Sequence, residues 1–452
     1  MNANEIIVGL DIGTTKIACF VGTRDENDKV KILGFGKTES VGVEHGVVRS
    51  ITYTAESIKK AVSEASEQAG IPITEVWVGI AGQHIKSRPS HGSVMIAQGQ
   101  PLIEQSDIDR LISEQHNVLL EAGEEIIHIF PQQYIVDGQP LSREIPPVGV
   151  AGNVLEADFH MVTGNAQNLH HIRYAIELAG LSTKGVVLEP VASSKAVLDD
   201  RDRDAGVAMV DIGGGTTDIA IFFDGIIRHT SVLPLAGNAI TKDIQEGCTV
   251  LKKQAESLKV RFGSCLVQAV SDRDIISIPG IHHQAPREIY VKNLAKIINA
   301  RTKMLLEQVE YEIQTSGLQK QLIAGVVLTG GGAQLKNIKD LCELITANST
   351  RIGIPNEHLS PSSIGYEELA HPMFATGIGL VLHGLESTQA ATSSSANKNE
   401  EASDHVDIFK DMPETPAAET QPAATPSEPK RKRFGLNAIN DWLTRQFTDD
   451  ID

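Results

Sequence analysis

Two stretches of this chain end an apolar run on an aspartate and follow it at once with glycine and hydroxyl residues. Asp11-Ile12-Gly13-Thr14-Thr15-Lys16-Ile17-Ala18 comes after Ile6 to Leu10. Asp211-Ile212-Gly213-Gly214-Gly215-Thr216-Thr217-Asp218-Ile219-Ala220 comes after Val207 to Val210. Glycine permits a tight hairpin whose backbone N–H groups approach phosphate oxygens closely, and the threonine hydroxyls add donors. Asp11 and Asp211 fall at strand ends, where a carboxylate can orient the water shell of a bound Mg2+. A single copy reads as an ordinary hairpin turn. Two copies, far apart in the chain, suggest duplicated domains facing one another.

Two weaker elements point the same way. Val326 to Thr329 is an apolar strand opening into Gly330, Gly331 and Gly332, a run that lets backbone pack against a flat base. Glu256 and Lys259 lie three apart on an expected helix and share a face. Alone, the first would be a loop and the second a solvated ion pair.

The elements that must position these residues alternate between short apolar runs and amphipathic stretches such as Thr54 to Ala69, which stops at Gly70 and Pro72. That alternation predicts an α/β architecture over residues 1–385. The chain has 452 residues, enough for two or three buried cores, with 41% hydrophobic and 22% charged residues. Its net charge of −18 argues against nucleic acid as a partner. The four cysteines show no metal-binding spacing and read as reduced thiols. We expect no signal peptide and no transmembrane helix. From 386 to 429 Ser, Thr, Ala, Pro and acidic residues dominate, which predicts a disordered linker.

The tail has a pattern of its own. Lys430, Arg431, Lys432 and Arg433 precede Leu436, Ile439, Leu443 and Phe447, spaced for one helical face, with Trp442 on its flank. Such a helix spans roughly 20 Å, too short to cross a bilayer but long enough to lie in its interface. Each basic residue adds roughly 1 kcal/mol at an anionic surface. The alternative is a helix that docks on the protein body or on another protein.

In order, these elements resemble the actin, sugar-kinase and heat-shock-chaperone ATPase fold, a duplicated ribonuclease-H-like α/β architecture. The resemblance implies an ATP and Mg2+ site. It assigns phosphate loops to Asp11–Lys16 and Asp211–Asp218, an adenosine loop to Gly330–Gly332, and ribose contacts to Glu256 and Lys259. Glu189-Pro190-Val191-Ala192-Ser193-Ser194 and Ala375-Thr376-Gly377-Ile378-Gly379-Leu380 match its two connecting helices. Glu189 then holds the place of a water-positioning carboxylate, with Asp211 assisting through Mg2+, and hydrolysis is expected to be slow.

Within that superfamily the similarity is closest to the FtsA family of cell-division proteins. It rests on Ile80-Ala81-Gly82-Gln83-His84-Ile85, Arg228-His229-Thr230, Leu235-Ala236-Gly237-Asn238, Lys259-Val260-Arg261-Phe262-Gly263 and Leu328 to Gln334. It implies subdomain 1A over 1–83, 164–204 and 372–385, and an inserted subdomain 1C over 84–163. Subdomain 2A would cover 205–238 and 319–371, 2B 239–318, the linker 386–429 and a membrane-targeting tail 430–452. It further implies filaments of the protein itself, and binding of the C-terminal peptide of FtsZ through Arg287 and Arg301. Recruitment of later division proteins and a place on the cytoplasmic face of the inner membrane at the division site follow as well. A soluble sugar or acetate kinase and a type IV pilus assembly adaptor of the same fold are the alternatives. A chaperone is disfavoured, since no β-rich domain follows residue 385.

Overall fold

The computed structural model describes residues 5–401, apart from 98, 101, 143–144 and 279–285. The chain divides into two compact units, Met1–Ser395 and Ala396–Asp452. The basic block Lys430–Arg433 and the apolar stripe from Leu436 to Phe447 lie outside the described residues.

Ile7–Ile12 is buried at every position, as a central strand covered on both faces must be. It pairs antiparallel with Lys16–Arg24 and parallel with Glu75–Ile80. The full order of this first sheet is Ser182–Leu188, Glu75–Ile80, Ile7–Ile12, Lys16–Arg24, Val30–Glu39. The second sheet has the matching plan. Val207–Ile212 pairs antiparallel with Thr217–Phe223, which is followed by Ile226–Leu233. On its other side it pairs parallel with Gly325–Thr329, and that strand with Thr350–Ile352.

The two central hairpins share one register. Ile12 faces Ile17 across the first turn, and Ile212 faces Thr217 across the second. The turns Gly13–Lys16 and Gly213–Thr216 are thus the same length, each closed by a bond from the first N–H to the last carbonyl, at 3.0 and 2.9 Å. Matching the letters Thr-Thr in both copies therefore misplaces the second pair: Gly214 and Gly215 stand where Thr14 and Thr15 stand, and Asp218 stands where the first copy has Ala18.

Between the sheets run the helices Glu189–Val197 and Ala375–Glu401. They cross so closely that a Cβ on Gly379 would sit 1.8 Å from the Ala192 carbonyl oxygen. Phe20, Met209, Phe374, Ile378 and Leu380 belong to the core around this crossing. The second helix corrects one expectation: it does not give way to a linker at Glu386 but continues to Glu401. No glycine or proline interrupts 386–401, and propagating a helix already nucleated in a core is cheap. Glu386 also pairs with Lys195, and Ser387 and Thr388 bond back to the carbonyls of His383 and Gly384.

A further sheet follows Ile80, in the order Lys86–Met95, Val154–Asn165, Glu124–Val136, Gln139–Pro140. With the helix Gln105–Gln115 it encloses a separate core that includes Leu111, Leu155 and Phe159. This inserted domain reaches the edge strand of the second sheet: the Ser87 hydroxyl donates to the Thr230 carbonyl, and Gln132 to that of Ile227. His160 Nε2 lies 3.0 Å from Thr230 Oγ1. Above the second sheet, Gly237–Cys248, Lys252–Phe262 and Val291–Thr315 form a helical layer. No helix among the described residues is long and apolar enough to cross a membrane.

Candidate functional site

Both turns open into one cleft of 920 Å3, whose walls include Gly13, Thr14, Thr15, Lys16, Gly213, Gly214, Gly215 and Thr216. They are pressed together. A Cβ on Gly214 would come within 2.3 Å of Thr15 Cγ2, and one on Gly215 within 2.4 Å of Thr14 Oγ1. Glycine in the second turn thus makes room for the threonines of the first.

The floor of the cleft is acidic. Asp11, Glu189, Asp211 and Asp218 line it, and Lys16 Nζ pairs with Asp11 Oδ2 at 2.7 Å. Asp211 Oδ2 accepts from Ser193 Oγ at 2.6 Å and from Thr376 Oγ1 at 3.1 Å. Both crossing helices therefore donate a hydroxyl to this carboxylate. Desolvation raises the Asp211 pKa, and the bond from Ser193 offsets only part of that rise. Glu189 is held well above the ordinary carboxyl range by desolvation, then by the charges of Asp11, Asp218 and Asp211. Asp218 is raised in the same way, by burial first and then by Asp211. One of its oxygens accepts from Thr216 Oγ1 at 3.0 Å; the other is buried with no hydrogen-bond partner among the described residues.

At the far end the Lys259 ammonium, mostly buried, touches Glu256 Oε2 at 2.8 Å, Thr241 Oγ1 at 2.9 Å and the Gly237 carbonyl at 3.1 Å. Glu256 and Lys259 do share a face and both line the cleft. The triple glycine divides into two roles. Gly330 has φ +83°, and Cβ atoms on Gly330 and Gly332 would strike Asp211 Oδ1 and Ile212 Cγ2 at 2.2 and 2.3 Å. Those two are glycines because of the strand end behind them. Only at Gly331 would a Cβ meet nothing within 4 Å, leaving that backbone face open to the cleft.

Of the residues expected here, Thr217 falls elsewhere. It is the first residue of its strand, fully buried, and its hydroxyl donates to the Leu235 carbonyl. The sequence marks Asp218 only as the end of the second phosphate loop, and Ser193 and Thr376 only as members of the connecting helices. Arg287 and Arg301 are not among the cleft's lining residues: Arg287 opens the strand Arg287–Tyr290, Arg301 sits on the helix Val291–Thr315, and neither guanidinium is idle. Arg301 grips Asp243 with two bonds, at 2.6 and 2.9 Å, which raises its own pKa. Arg287 donates to the carbonyls of Cys248 and Thr249.

Two sheets of one plan, a helix pair crossing between them and apposed glycine turns over an acidic floor define the actin-like α/β fold, here with a domain inserted after the fourth strand of the first sheet's core. A solved structure titled PilM-PilN type IV pilus biogenesis complex shares this fold at TM-score 0.61, covering 85% of this chain and 99% of its own at 15% identity. Family models place a cell division protein FtsA domain over residues 208–379 and an SHS2 domain inserted in FtsA over 82–163. The cell division protein FtsA of Pseudomonas aeruginosa is 35% identical over 404 residues, 89% of this chain and 95% of that protein. Those of Escherichia coli K12 and Bacillus subtilis 168 are each 32% identical, over 85% and 84% of this chain and 91% and 84% of theirs. The chain belongs to the FtsA family of cell-division proteins.

Proposed function

We propose that the cleft binds ATP with Mg2+, and that the protein uses this site while joining polymers of FtsZ to the cytoplasmic face of the inner membrane at the division site. The observation that carries the nucleotide reading is the apposition of two equal glycine turns at the mouth of a cleft floored by carboxylates. Backbone N–H groups at such turns suit phosphate oxygens. The donor set also suits a hard cation: four carboxylates, one with a buried oxygen that has no partner. No three acidic, His or Cys side chains among the described residues gather closely enough to chelate a metal directly, so Asp11 and Asp211 would hold it through its water shell. A bound Mg2+ would offset the charge of phosphate against this floor.

Glu189 is the chain's best candidate for orienting a water; among the protein's own groups, burial and the charges of Asp11, Asp218 and Asp211 raise its pKa. Slow hydrolysis is the reading that the family resemblance supports. Membrane attachment rests on the sequence of 430–452. FtsZ binding through Arg287 and Arg301 needs one amendment from the geometry: a partner carboxylate must share or displace the bonds Arg301 already makes to Asp243. Filament formation and recruitment of later division proteins follow from family membership.

Titration with a fluorescent ATP analogue tests the nucleotide reading. Gly214→Val should abolish binding that the wild type shows with Mg2+. Equal affinity in the two proteins would overturn the site.

A further inference from the structure

A short hairpin of the first half of the molecule reaches the second glycine turn. Val43–Glu44 and Val47–Val48 pair antiparallel around the tip His45-Gly46. Both tip residues have positive φ, 47° and 73°. That is the backbone hand of a two-residue hairpin turn, in which a non-glycine residue is uncommon, though histidine tolerates it better than most. Val43 and Val48 anchor the hairpin in the core of the first sheet. A Cβ on Gly46 would lie 2.9 Å from the backbone of Ala81 and Gly82, so the tip has no slack.

The tip makes two bonds, one to each phosphate-type turn. Gly46 N–H donates to Thr14 Oγ1 at 3.2 Å, and His45 Nδ1 lies 3.0 Å from the Gly215 carbonyl oxygen. A carbonyl only accepts, so Nδ1 must carry the proton. We propose that His45 is a positioning residue, a latch whose Nδ1–H holds the second glycine turn against the first and so sets the spacing of the phosphate cage. The proposal rests on the nucleotide reading for its purpose, not for its geometry. Neutral imidazole in this tautomer and imidazolium both donate from Nδ1.

Asn and Asp both tolerate the left-handed backbone and have the same size, but only the Asn side chain can donate to a carbonyl. In the full-length protein, His45→Asn should keep ATP-analogue affinity within about twofold of wild type, while His45→Asp should weaken it by roughly two- to tenfold, the range of one hydrogen bond. Their melting temperatures without nucleotide should stay close, since His45 is exposed. Equal affinities of the Asn and Asp variants, with the wild type binding normally, would overturn the latch and leave the nucleotide site intact. Nitrogen-15 NMR of the protein without nucleotide gives a second readout that does not depend on that site. His45 should be protonated at Nδ1 at pH 8, and protonation at Nε2 alone would overturn the latch by itself.

Discussion

Adding one methyl group at neighbouring glycines should separate the packing of the protein from the packing of its ligand. Gly332→Ala sets a carbon 2.3 Å from Ile212 Cγ2 and 3.0 Å from the Ile212 carbonyl oxygen, with no ligand involved. Overpacking of that kind costs about 1–3 kcal/mol, and each kcal/mol lowers Tm by roughly 2–4 °C in a domain of a few hundred residues. Gly331→Ala meets nothing within 4 Å and does not sit in the left-handed region. Without ligand it should be neutral or more stable by about 0.4–1 kcal/mol, through lost freedom of the unfolded chain. If a nucleobase lies flat on this turn, the same methyl intrudes on it. An overpacking cost of about 1–3 kcal/mol then becomes roughly a fivefold to 150-fold rise in Kd. Thermal unfolding without nucleotide and titration with an ATP analogue and Mg2+ measure the two effects separately. A Gly331→Ala protein that binds as the wild type does would refute the placement of the base. A Gly332→Ala protein that melts with the wild type would refute the packing argument.

Two other outcomes follow from the geometry and a third from the sequence of the tail. Because burial and Asp211 raise the Asp218 pKa, the stability this group contributes is present below the unfolded carboxyl pKa of about 4 and is lost as pH rises through the folded value. Asp218→Asn should therefore raise Tm near pH 7–8 with a gain that vanishes toward pH 4; a gain independent of pH would refute the charge argument. Asp243→Asn removes the charge that now occupies Arg301, so an acidic FtsZ C-terminal peptide should bind more tightly in a pull-down. Unchanged or weaker binding moves that contact away from Arg301. On liposomes, Trp442→Glu should release the protein at every ionic strength, whereas neutralising Lys430–Arg433 should matter chiefly at low salt and on anionic lipid. A chain truncated after Glu428 that still sediments with liposomes would refute the anchor.

The site was legible in the sequence where its signals are local. A strand ending in Asp, then Gly and a return strand, is complete within ten residues, and both copies fold as hairpins. Thr217 was misassigned because letters were matched where turn length decides the register. Ser193 and Thr376 could be read only as small residues on connecting helices, since their hydroxyls acquire a partner when Asp211 arrives from another part of the chain. Likewise nothing near Arg301 in sequence announces Asp243. The linker boundary failed for a different reason: composition measures what a segment can bury, but a helix entering from a core needs no burial of its own to run on for some turns.

The inserted domain leaves the chain from the first sheet yet bonds to Thr230 and Ile227 on the rim of the second. The two halves are thus joined through the insert as well as through the crossing helices, the apposed turns and the His45 tip, and the connections close into a ring. A hinge on an open chain swings freely; a joint inside a closed linkage moves only as far as its other joints comply. Either the cleft works through small displacements shared around the ring, or a wide opening must first shear the Ser87, Gln132 and His160 contacts. In the second case the insert's exposed face would change its tilt whenever the cleft opened.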